Sequence, residues 1–290
     1  MTLLPASVVH HESREFEFAD RDFRRVCELI HQRAGIALAP AKRDMVYGRL
    51  SRRLRALGMR SFHQYLDHLE SGGDEEWQAF TNALTTNLTA FFREPHHFER
   101  LREDLERRAS AASSAHPLLL WSCAASTGEE PYSMAITACE AFGTLKPPVR
   151  IVATDVDTQV LATAARGVYA IDRVTGLDPG LRRRYFQRGT GPNEGQCRVL
   201  PALRELIDYR PLNLLAPRYD IGGPFTALFC RNVMIYFDKP TQRGILGRLV
   251  PHLADDGLLY TGHSENYLHA ADLIQPCGRT LYRRAPGARA

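Results

Sequence analysis

The chain has 290 residues, of which 44% are hydrophobic and 24% are charged, and its formal net charge is +4. This length accommodates about two domains, and the composition is that of a globular protein rather than a disordered or fibrous one. The sequence has no apolar run of about 18 residues, so it predicts no membrane span. Six scattered cysteines without C-x-x-C spacing, and histidines without an H-E-x-x-H pattern, argue against a disulfide framework and a metal site.

The first residues, MTLLPASVVHHESREF, lack a basic segment followed by a long apolar stretch. That combination is the mark of a secretory signal peptide. We therefore expect no signal peptide, no membrane insertion and a cytoplasmic location.

Residues 20–85 have the periodicity of helices. Apolar side chains share one face of the first predicted helix: Phe23, Val26, Leu29 and Ile30. A second helix is predicted to begin at Pro40, and two more at 61–70 and 74–85. Since no strand pattern occurs here, we predict an all-helical N-terminal domain over residues 1–85.

The second of these helices carries the strongest charge in the chain. Residues 42–60 contain seven basic residues and one acidic residue, which gives a net charge of +6 and leaves −2 for the remainder. A basic segment of this kind is typical either of a helix that meets an acidic partner or of a solvated helix face. The charge pattern alone leaves both interpretations open.

Beyond residue 115, short apolar runs alternate with helical stretches. The runs lie at 118–122, 149–154, 225–230 and 257–262, and the helices at 129–142, 157–166 and 239–253. This alternation predicts an α/β fold with a mostly parallel sheet, in a domain over residues 86–290. In such a sheet, ligands bind beyond the carboxyl ends of the strands.

Residues 172–212 interrupt this alternation. The segment is rich in glycine and arginine and contains a predicted strand at 205–210, so we predict an inserted β-subdomain. Its glycines, Gly189, Gly191 and Gly195, resemble a G-x-G-x-x-G fingerprint. The stretch neither follows a clear buried strand nor precedes a helix, so it does not predict a dinucleotide site.

The first predicted strand leads into the loop WSCAASTGEEPYS, residues 121–133. Gly128 allows a tight turn before the next helix. Glu129 and Glu130 would repel a pyrophosphate but would suit a ligand that carries an ammonium group. Asp155, at the end of the second strand, is the expected partner of ribose hydroxyls.

Together these acids predict a nucleoside ligand with free ribose hydroxyls, a positive charge and no phosphate. S-adenosylmethionine fits this description, and NAD fits it less well because its pyrophosphate needs a glycine-rich cradle. The alternative, in which the three acids only start or cap helices, stays open at this point.

Six motifs of the chain resemble those of the CheR-type chemotaxis receptor methyltransferases. They are TNLTAFFRE (86–94), STGEEPYS (126–133), ATDVD (153–157), PLNLL (211–215), FCRNVMIYF (229–237) and GHSE (262–265). The resemblance covers nearly the whole chain. It implies a Rossmann-like methyltransferase domain behind a small helical domain, and methyl transfer from S-adenosylmethionine to glutamate side chains of chemoreceptors, with S-adenosylhomocysteine as the product.

Carried over by motif, the resemblance implies these cofactor contacts: Asn87, Thr89, Arg93, Glu129 or Glu130, Asp155, Asn213, Leu214, Arg231 and Asn232. It places Arg93 and Tyr236 at the point of methyl transfer, where Arg93 holds either the substrate or the methionine carboxylate. A glutamate side chain has a pKa near about 4.3, so it is ionised at neutral pH and needs no general base. The enzyme must place the carboxylate in line with the methyl group and remove water from that carboxylate.

The resemblance further implies a glutamate-rich helical substrate. We expect four arginines of the basic helix to align it, namely Arg49, Arg52, Arg53 and Arg55. Some family members hold a C-terminal receptor peptide on the inserted subdomain. Here the three glycines would let a peptide backbone approach as an added strand, and Arg188 and Arg198 would pair with its acidic groups.

Two rival functions remain. A nucleic-acid methyltransferase would use the basic helix on phosphates, but base amino-methylating enzymes typically carry an N-P-P-Y-like motif where this chain has CRNVMIY (230–236). A receptor-binding adaptor would keep the fold without turnover, and the intact contact residues argue against it. We expect an active enzyme that is a monomer and binds no nucleic acid.

Overall fold

The computed structural model describes residues 14–287. The first thirteen residues, on which the expectation of no signal peptide mainly depends, lie outside this range. The chain divides into two compact units: residues up to Arg33 with Leu38–Leu84, and Ala34–Ala37 with the chain from Thr85 onward. In the described range, none of the helices has both the length and the apolarity that crossing a bilayer requires.

The first unit is built from the predicted helices. They are α1 (Asp20–Ala34), α2 (Arg43–Ala56), α3 (Phe62–Ser71) and α4 (Asp74–Leu84). Pro40 begins a short 3-10 turn that leads into α2. Ser61 caps α3, because its hydroxyl accepts the N–H of Gln64 at 3.2 Å. Residues three or four positions apart, such as Leu50 and Leu54, are fully buried and form the core of this unit.

A seven-stranded sheet organises the second unit. Its strands are β1 (Leu118–Ser122), β2 (Val149–Asp155), β6 (Ile207–Pro211), β7 (Phe225–Cys230), β8 (Leu253–Thr261), β9 (Ile274–Gly278) and β10 (Leu281–Arg284). They lie in the order β6-β2-β1-β7-β8-β10-β9. The first five in this order are mutually parallel, and β10 is antiparallel to both of its neighbours. The predicted α/β fold is confirmed.

The strand order reverses between β1 and β7. From β1 the chain proceeds to β2 and β6 on one side, and from β7 to β8 on the other. The carboxyl ends of β1 and β7 therefore flank the crevice in which open α/β sheets bind their ligands.

Four longer helices accompany this sheet: α5 (His96–Arg108), α6 (Glu129–Phe142), α7 (Thr158–Arg166) and α10 (Lys239–Leu249). Successive strand residues face opposite sides of a sheet. Accordingly, Leu120 packs into one apolar cluster and Trp121 into the other, and both are fully buried. Helix α5 is not among the helices predicted from the sequence, although Phe98, Leu101 and Leu105 show a helical spacing.

A small antiparallel sheet is inserted between β2 and β6. It contains β3 (Val168–Ala170), β4 (Phe186–Arg188) and β5 (Gln196–Val199) in the order β3-β5-β4, with the short helices α8 (Pro179–Tyr185) and α9 (Pro201–Arg204). The strand predicted at 205–210 does not belong to it. That segment is β6, which pairs with β2 at the edge of the large sheet because Ile207 is buried in the main core.

The small sheet therefore extends from 168 to 199, rather than over the expected 172–212.

Candidate active site

The loop after β1 turns at a position that has no room for a side chain. Gly128 has a φ of 99°, and a Cβ there would lie 2.8 Å from both the Ala164 Cβ and the Tyr169 hydroxyl. Ser126 also adopts a left-handed conformation, with a φ of 48°. Strain at a non-glycine residue persists only where the surroundings enforce it, and it clusters at ligand sites. Here the backbone N–H of Ser126 donates to Asp155 Oδ2 at 2.9 Å.

Asp155, at the end of β2, is 8% exposed. Its Oδ1 accepts the N–H of Asp157 at 2.9 Å, while Oδ2 accepts that of Ser126. Burial raises the pKa of Asp155 to about 6, against the opposing effect of these N–H donors. The N–H of Val156 is a further backbone donor to this carboxylate, which has about four acceptor sites and therefore keeps capacity for a ligand hydroxyl.

Glu130, on the first turn of α6, pairs with a cation from the other side of the crevice. Its Oε1 accepts the Ser122 hydroxyl at 2.8 Å, and its Oε2 accepts Arg231 Nη1 at 2.8 Å. Burial raises the pKa of Glu130, and the positive charge of Arg231 opposes that rise. Because Arg231 follows β7 directly, this ion pair joins the ends of β1 and β7.

Glu129 is held by different partners. Its carboxylate accepts the Thr127 hydroxyl at 2.6 Å and forms an ion pair with Arg173. Arg173 follows β3 and also donates to the carbonyl of Thr89 at 2.9 Å. Arg173 is not among the residues expected from the sequence, since its contact with Glu129 joins positions 44 residues apart and no local motif signals it.

The segment 86–94 lies against the ends of β1 and β2. The side-chain amide of Asn87 donates to Asp157 Oδ2 at 3.0 Å, and its carbonyl accepts the Ser126 hydroxyl at 3.3 Å. Phe92 and Glu94 have positive φ values of 51° and 59°. These contacts fix the irregular backbone of residues 86–94 beside the strand ends where the ligand is expected.

Arg93 bridges this segment to the end of β7. Its Nη1 donates to the carbonyl of Leu88 at 3.0 Å, and its own carbonyl accepts a hydrogen bond from Arg231. The side chain is half-buried. A guanidinium has five N–H donors, so Arg93 retains donors that can orient a carboxylate.

The segments after β6 and β7 supply the remaining candidates. Asn213 Oδ1 accepts the N–H of Leu215 at 2.9 Å, and Leu214 is buried. Asn232 has a φ of 57°, and its side chain donates to Glu94 at 3.4 Å. Tyr236 ends a 3-10 turn and is half-buried.

The structure thus places all the expected cofactor residues at the carboxyl ends of β1, β2, β6 and β7 or on the segment beside them. The end of β6 joins the group because the N–H of Leu212 donates to the carbonyl of Asp155 at 2.9 Å. Their contact with a cofactor remains a prediction.

In the first unit, the four expected substrate arginines differ in their surroundings. Arg53 donates from two nitrogens to the buried carboxylate of Glu76, so it belongs to the framework of the unit. Arg49 donates to the carbonyl of Ala83 at 3.2 Å, and Arg55 pairs with Glu15 at 2.8 Å. Arg52 is exposed. Of the four, only Arg52 and Arg55 are exposed, and Arg55 shares its charge with the exposed Glu15.

On the small sheet, β4 is an edge strand that ends at Arg188. A Cβ at Gly189 would collide with the carbonyl oxygen of Asn193, while Gly191 and Gly195 have φ values of 57° and 80°. Arg198 pairs in register with Gln187, so it lies on the opposite face of the sheet from Arg188. The two arginines can flank a strand added at this edge but cannot share one face of it.

One group in the described part of the chain has the spacing of a metal site. Ligand atoms of Glu94, His96 and His97 all lie within 4.8 Å of one another. Arg231 Nη2 lies 3.6 Å from Glu94 Oε1, and its positive charge would repel a cation placed there. This group therefore does not support a metal centre.

Two family profiles together match the chain over most of its length. The profile described as "CheR methyltransferase, SAM binding domain" matches residues 87–282, and "CheR methyltransferase, all-alpha domain" matches residues 21–85. The first spans more than half of the chain, and it includes the strand ends and the segments that carry the candidate site.

Similar full-length relatives are known. "Chemotaxis protein methyltransferase 2" of Pseudomonas aeruginosa is 51% identical, with 94% of this chain and 96% of the relative covered. "Chemotaxis protein methyltransferase" of Salmonella typhimurium is 51% identical, with 95% and 94% covered, and that of Escherichia coli is 50% identical, with 95% of each covered. The chain therefore belongs to the CheR methyltransferase family, and it is a methyltransferase that uses S-adenosylmethionine.

Proposed function

We propose that this protein transfers the methyl group of S-adenosylmethionine to glutamate side chains of chemoreceptors during adaptation in bacterial chemotaxis. The products are glutamyl methyl esters and S-adenosylhomocysteine. The observation that carries the proposal is the identity of 50–51% with chemotaxis protein methyltransferases over at least 94% of both chains.

The charges at the strand ends support an arrangement for the cofactor. Asp155 would accept the ribose hydroxyls, because its carboxylate is fixed by backbone N–H groups and retains acceptor capacity. Glu130 would accept the ammonium group, since its pairing with Arg231 places it at the crevice between β1 and β7. Glu129 is 1% exposed, against 9% for Glu130, and its partner Arg173 follows β3 of the small sheet rather than a strand end at the crevice, so we assign Glu129 a supporting role.

The remaining candidates would line the cofactor from both sides. Asn87 and Thr89 lie on the segment beside the β1 and β2 ends, whereas Asn213, Leu214 and Asn232 follow β6 and β7. We propose that these residues shape the cofactor site and make polar contacts with the cofactor.

The chemistry requires placement rather than proton transfer. When bound, S-adenosylmethionine would supply a methyl group on a positively charged sulfur; a carboxylate oxygen would take that methyl group, and the sulfur would leave as a neutral thioether. Arg93 would orient the acceptor carboxylate or the methionine carboxylate with its remaining N–H donors, and Tyr236 would border the same point. The reacting charges cancel in this step, so excluding water from the two ions favours it.

The receptor substrate would contact the protein through exposed charged side chains. We propose that Arg52 and Arg55 of α2 align a glutamate-rich receptor helix, with weak and salt-sensitive contacts. A C-terminal receptor peptide would add as a strand to β4, whose edge is open within the small sheet. The enzyme would act as a cytoplasmic monomer on the cytoplasmic helices of its receptors.

Transfer of labelled methyl from S-adenosylmethionine tests the acceptor. We expect base-labile label on receptor membranes, released as methanol, and none on receptors whose candidate glutamates are replaced by alanine. Label on RNA or DNA at physiological salt, or no transfer by folded protein, would refute the proposed function.

The peptide site is tested separately by calorimetry with a receptor C-terminal pentapeptide. We expect binding that is weakened by Gly189→Ala, because the added Cβ would displace the loop beside β4. Gly176→Ala is the matched control, since a Cβ at Gly176 meets no atom within 4 Å. Absence of heat with the wild-type protein would remove the peptide site from the proposal.

A further inference from the structure

The GHSE motif at 262–265 lies outside the residues that we assign to the cofactor and the acceptor. It directly follows β8, the parallel neighbour of β7. The N–H of Glu265 donates to the carbonyl of Gly262 at 3.0 Å, so the four residues form a turn at the end of β8. Glu265 is only 9% exposed, and a buried carboxylate outside the cofactor contacts requires an explanation.

The Glu265 carboxylate accepts backbone hydrogen bonds from two segments of the chain. Its Oε1 accepts the N–H groups of Val233 at 3.1 Å and Met234 at 3.0 Å, and its Oε2 accepts that of Gly262 at 2.6 Å. Val233 and Met234 immediately follow the cofactor candidates after β7. One carboxylate thereby fastens the segment after β7 to the turn after β8.

Gly262, at the other end of the motif, contacts the same segment. A Cβ on Gly262 would collide with the side-chain amide of Asn232 and lie 2.9 Å from its backbone nitrogen. Asn232 itself is held in a left-handed conformation, which a non-glycine residue adopts at some cost. The absence of a side chain at 262 therefore allows Asn232 to take its position.

A third contact holds the same segment from α10. The side-chain amide of Gln242, which is 8% exposed, donates to the carbonyls of Met234 at 2.9 Å and Phe237 at 3.0 Å. Within the segment 231–237, Glu265 thus binds the N–H groups of Val233 and Met234, and Gln242 binds the carbonyls of Met234 and Phe237.

We infer that Glu265 is a positioning residue: by binding the backbone of residues 231–237, with Gly262 making room for Asn232, it sets the geometry of Arg231, Asn232 and Tyr236. It acts through the backbone and contacts neither the cofactor nor the acceptor. The inference rests on the proposed function only for its methylation readout, because cofactor binding is measured without a receptor.

The charge of Glu265 matters to this role. An ionised carboxylate offers acceptors on both oxygens, whereas a protonated one keeps a full acceptor on only one. Burial raises the pKa of Glu265 to about 7, and its backbone N–H donors oppose that rise. Tyr267 and Tyr282 face it, and no basic side chain in the described chain forms an ion pair with it. The segment is therefore held most firmly above neutral pH.

The test is Glu265→Gln in the full chain, assayed for S-adenosylhomocysteine binding by calorimetry and for methylation kinetics. The amide nitrogen would face the N–H of Gly262, so one donor loses its acceptor. We expect affinity at about pH 8 to fall about tenfold, and the dependence of affinity on pH near neutrality to disappear. Glu265→Asp, which keeps both oxygens on a shorter stem, should recover part of the loss.

Gly262→Ala tests the same segment without changing a charge. We expect a loss of affinity for S-adenosylhomocysteine comparable to that of Glu265→Gln, because the methyl group would push Asn232 away. The matched control is Asp104→Asn, which alters a buried carboxylate on α5 bonded to Tyr260 at 3.3 Å and Arg100 at 3.4 Å. It should lower thermal stability yet keep the wild-type affinity and pH profile.

The inference fails if folded Glu265→Gln and Gly262→Ala bind S-adenosylhomocysteine as tightly as the wild type, or lose only thermal stability as Asp104→Asn does. If the wild type binds S-adenosylhomocysteine but methylates no receptor, the proposed function fails, while the binding data still decide the role of Glu265.

Discussion

The strand ends of the second unit and helix α2 of the first both concentrate charge, but they hold it in opposite ways. Glu130 and Arg231 are 9% and 5% exposed and are bonded to each other. Arg52 and Arg55 lie in solvent. A buried pair is strongly coupled and its geometry is fixed, whereas an exposed charge is screened by salt and contributes little individually.

Arginine therefore serves two purposes in this protein, in a buried ion pair at the strand ends and in solvent on α2. Buried charges at the strand ends determine where a ligand must sit, so changing one of them should cost affinity or stability. Exposed charges on α2 affect how a partner approaches, so changing them should alter mainly association. Four predictions test this difference, starting with the largest expected effect.

Replacing Arg231 with leucine should lower the free energy of unfolding by about 3–5 kcal/mol, because it leaves the Glu130 carboxylate buried without its cation. Urea denaturation measures the loss. Arg231→Leu combined with Glu130→Gln should recover most of it without restoring cofactor affinity. The control Arg52→Leu, on the exposed face of α2, should stay within about 0.5 kcal/mol of wild type. A loss below that value for Arg231→Leu would contradict the buried-pair account.

Asp155→Ala should weaken S-adenosylhomocysteine binding about 100-fold, equivalent to about 2.7 kcal/mol, since the ribose hydroxyls lose a charged acceptor. Calorimetry measures the change. Asp208→Ala, which removes an exposed carboxylate on β6, serves as the control and should leave affinity unchanged. Near-wild-type binding by Asp155→Ala would remove the ribose role from Asp155.

Cofactor affinity should also depend on pH through Asp155. Its ionised form accepts hydroxyl donors, and its pKa is about 6 because the group is buried. Affinity for S-adenosylhomocysteine should therefore fall as the pH drops through this pKa, to about a tenth of its high-pH value one unit below it, in addition to the change near neutral pH that depends on Glu265. Glu265→Gln should retain this step, and Asp155→Ala should lack it. An affinity that is the same at about pH 5 and pH 8 would contradict the assignment.

The smallest effect is expected from the exposed arginines. Arg52→Glu combined with Arg55→Glu should lower kcat/KM for receptor methylation about 3- to 10-fold at low salt, and the difference should shrink near 1 M salt, where the Debye length is about 3 Å. S-adenosylhomocysteine binding should not change. Arg24→Glu, on the exposed face of α1, is the matched control. Equal rates for the double variant and the control at low salt would exclude a steering role.

Topology accounts for where the strand-end residues lie, although Arg231 is expected only from the motif resemblance. Asp155 and Arg231 directly follow apolar runs, and parallel strands bring such positions to one edge. The charge pattern of α2 could not separate Arg53 from Arg52, since the difference is a tertiary contact with Glu76. Neither could local periodicity assign β6 to the large sheet or pair Arg173 with Glu129, because both depend on residues distant in sequence.

The most direct test of the central claim is mass spectrometry of receptor peptides after incubation with S-adenosylmethionine and the enzyme. The account predicts a mass increase of one methylene group on specific glutamate residues of the receptor, reversed by mild base and strongly reduced with Asp155→Ala at limiting S-adenosylmethionine. Unmodified glutamates after incubation with folded wild-type enzyme that binds S-adenosylhomocysteine, or methylation of a different side chain, would contradict it.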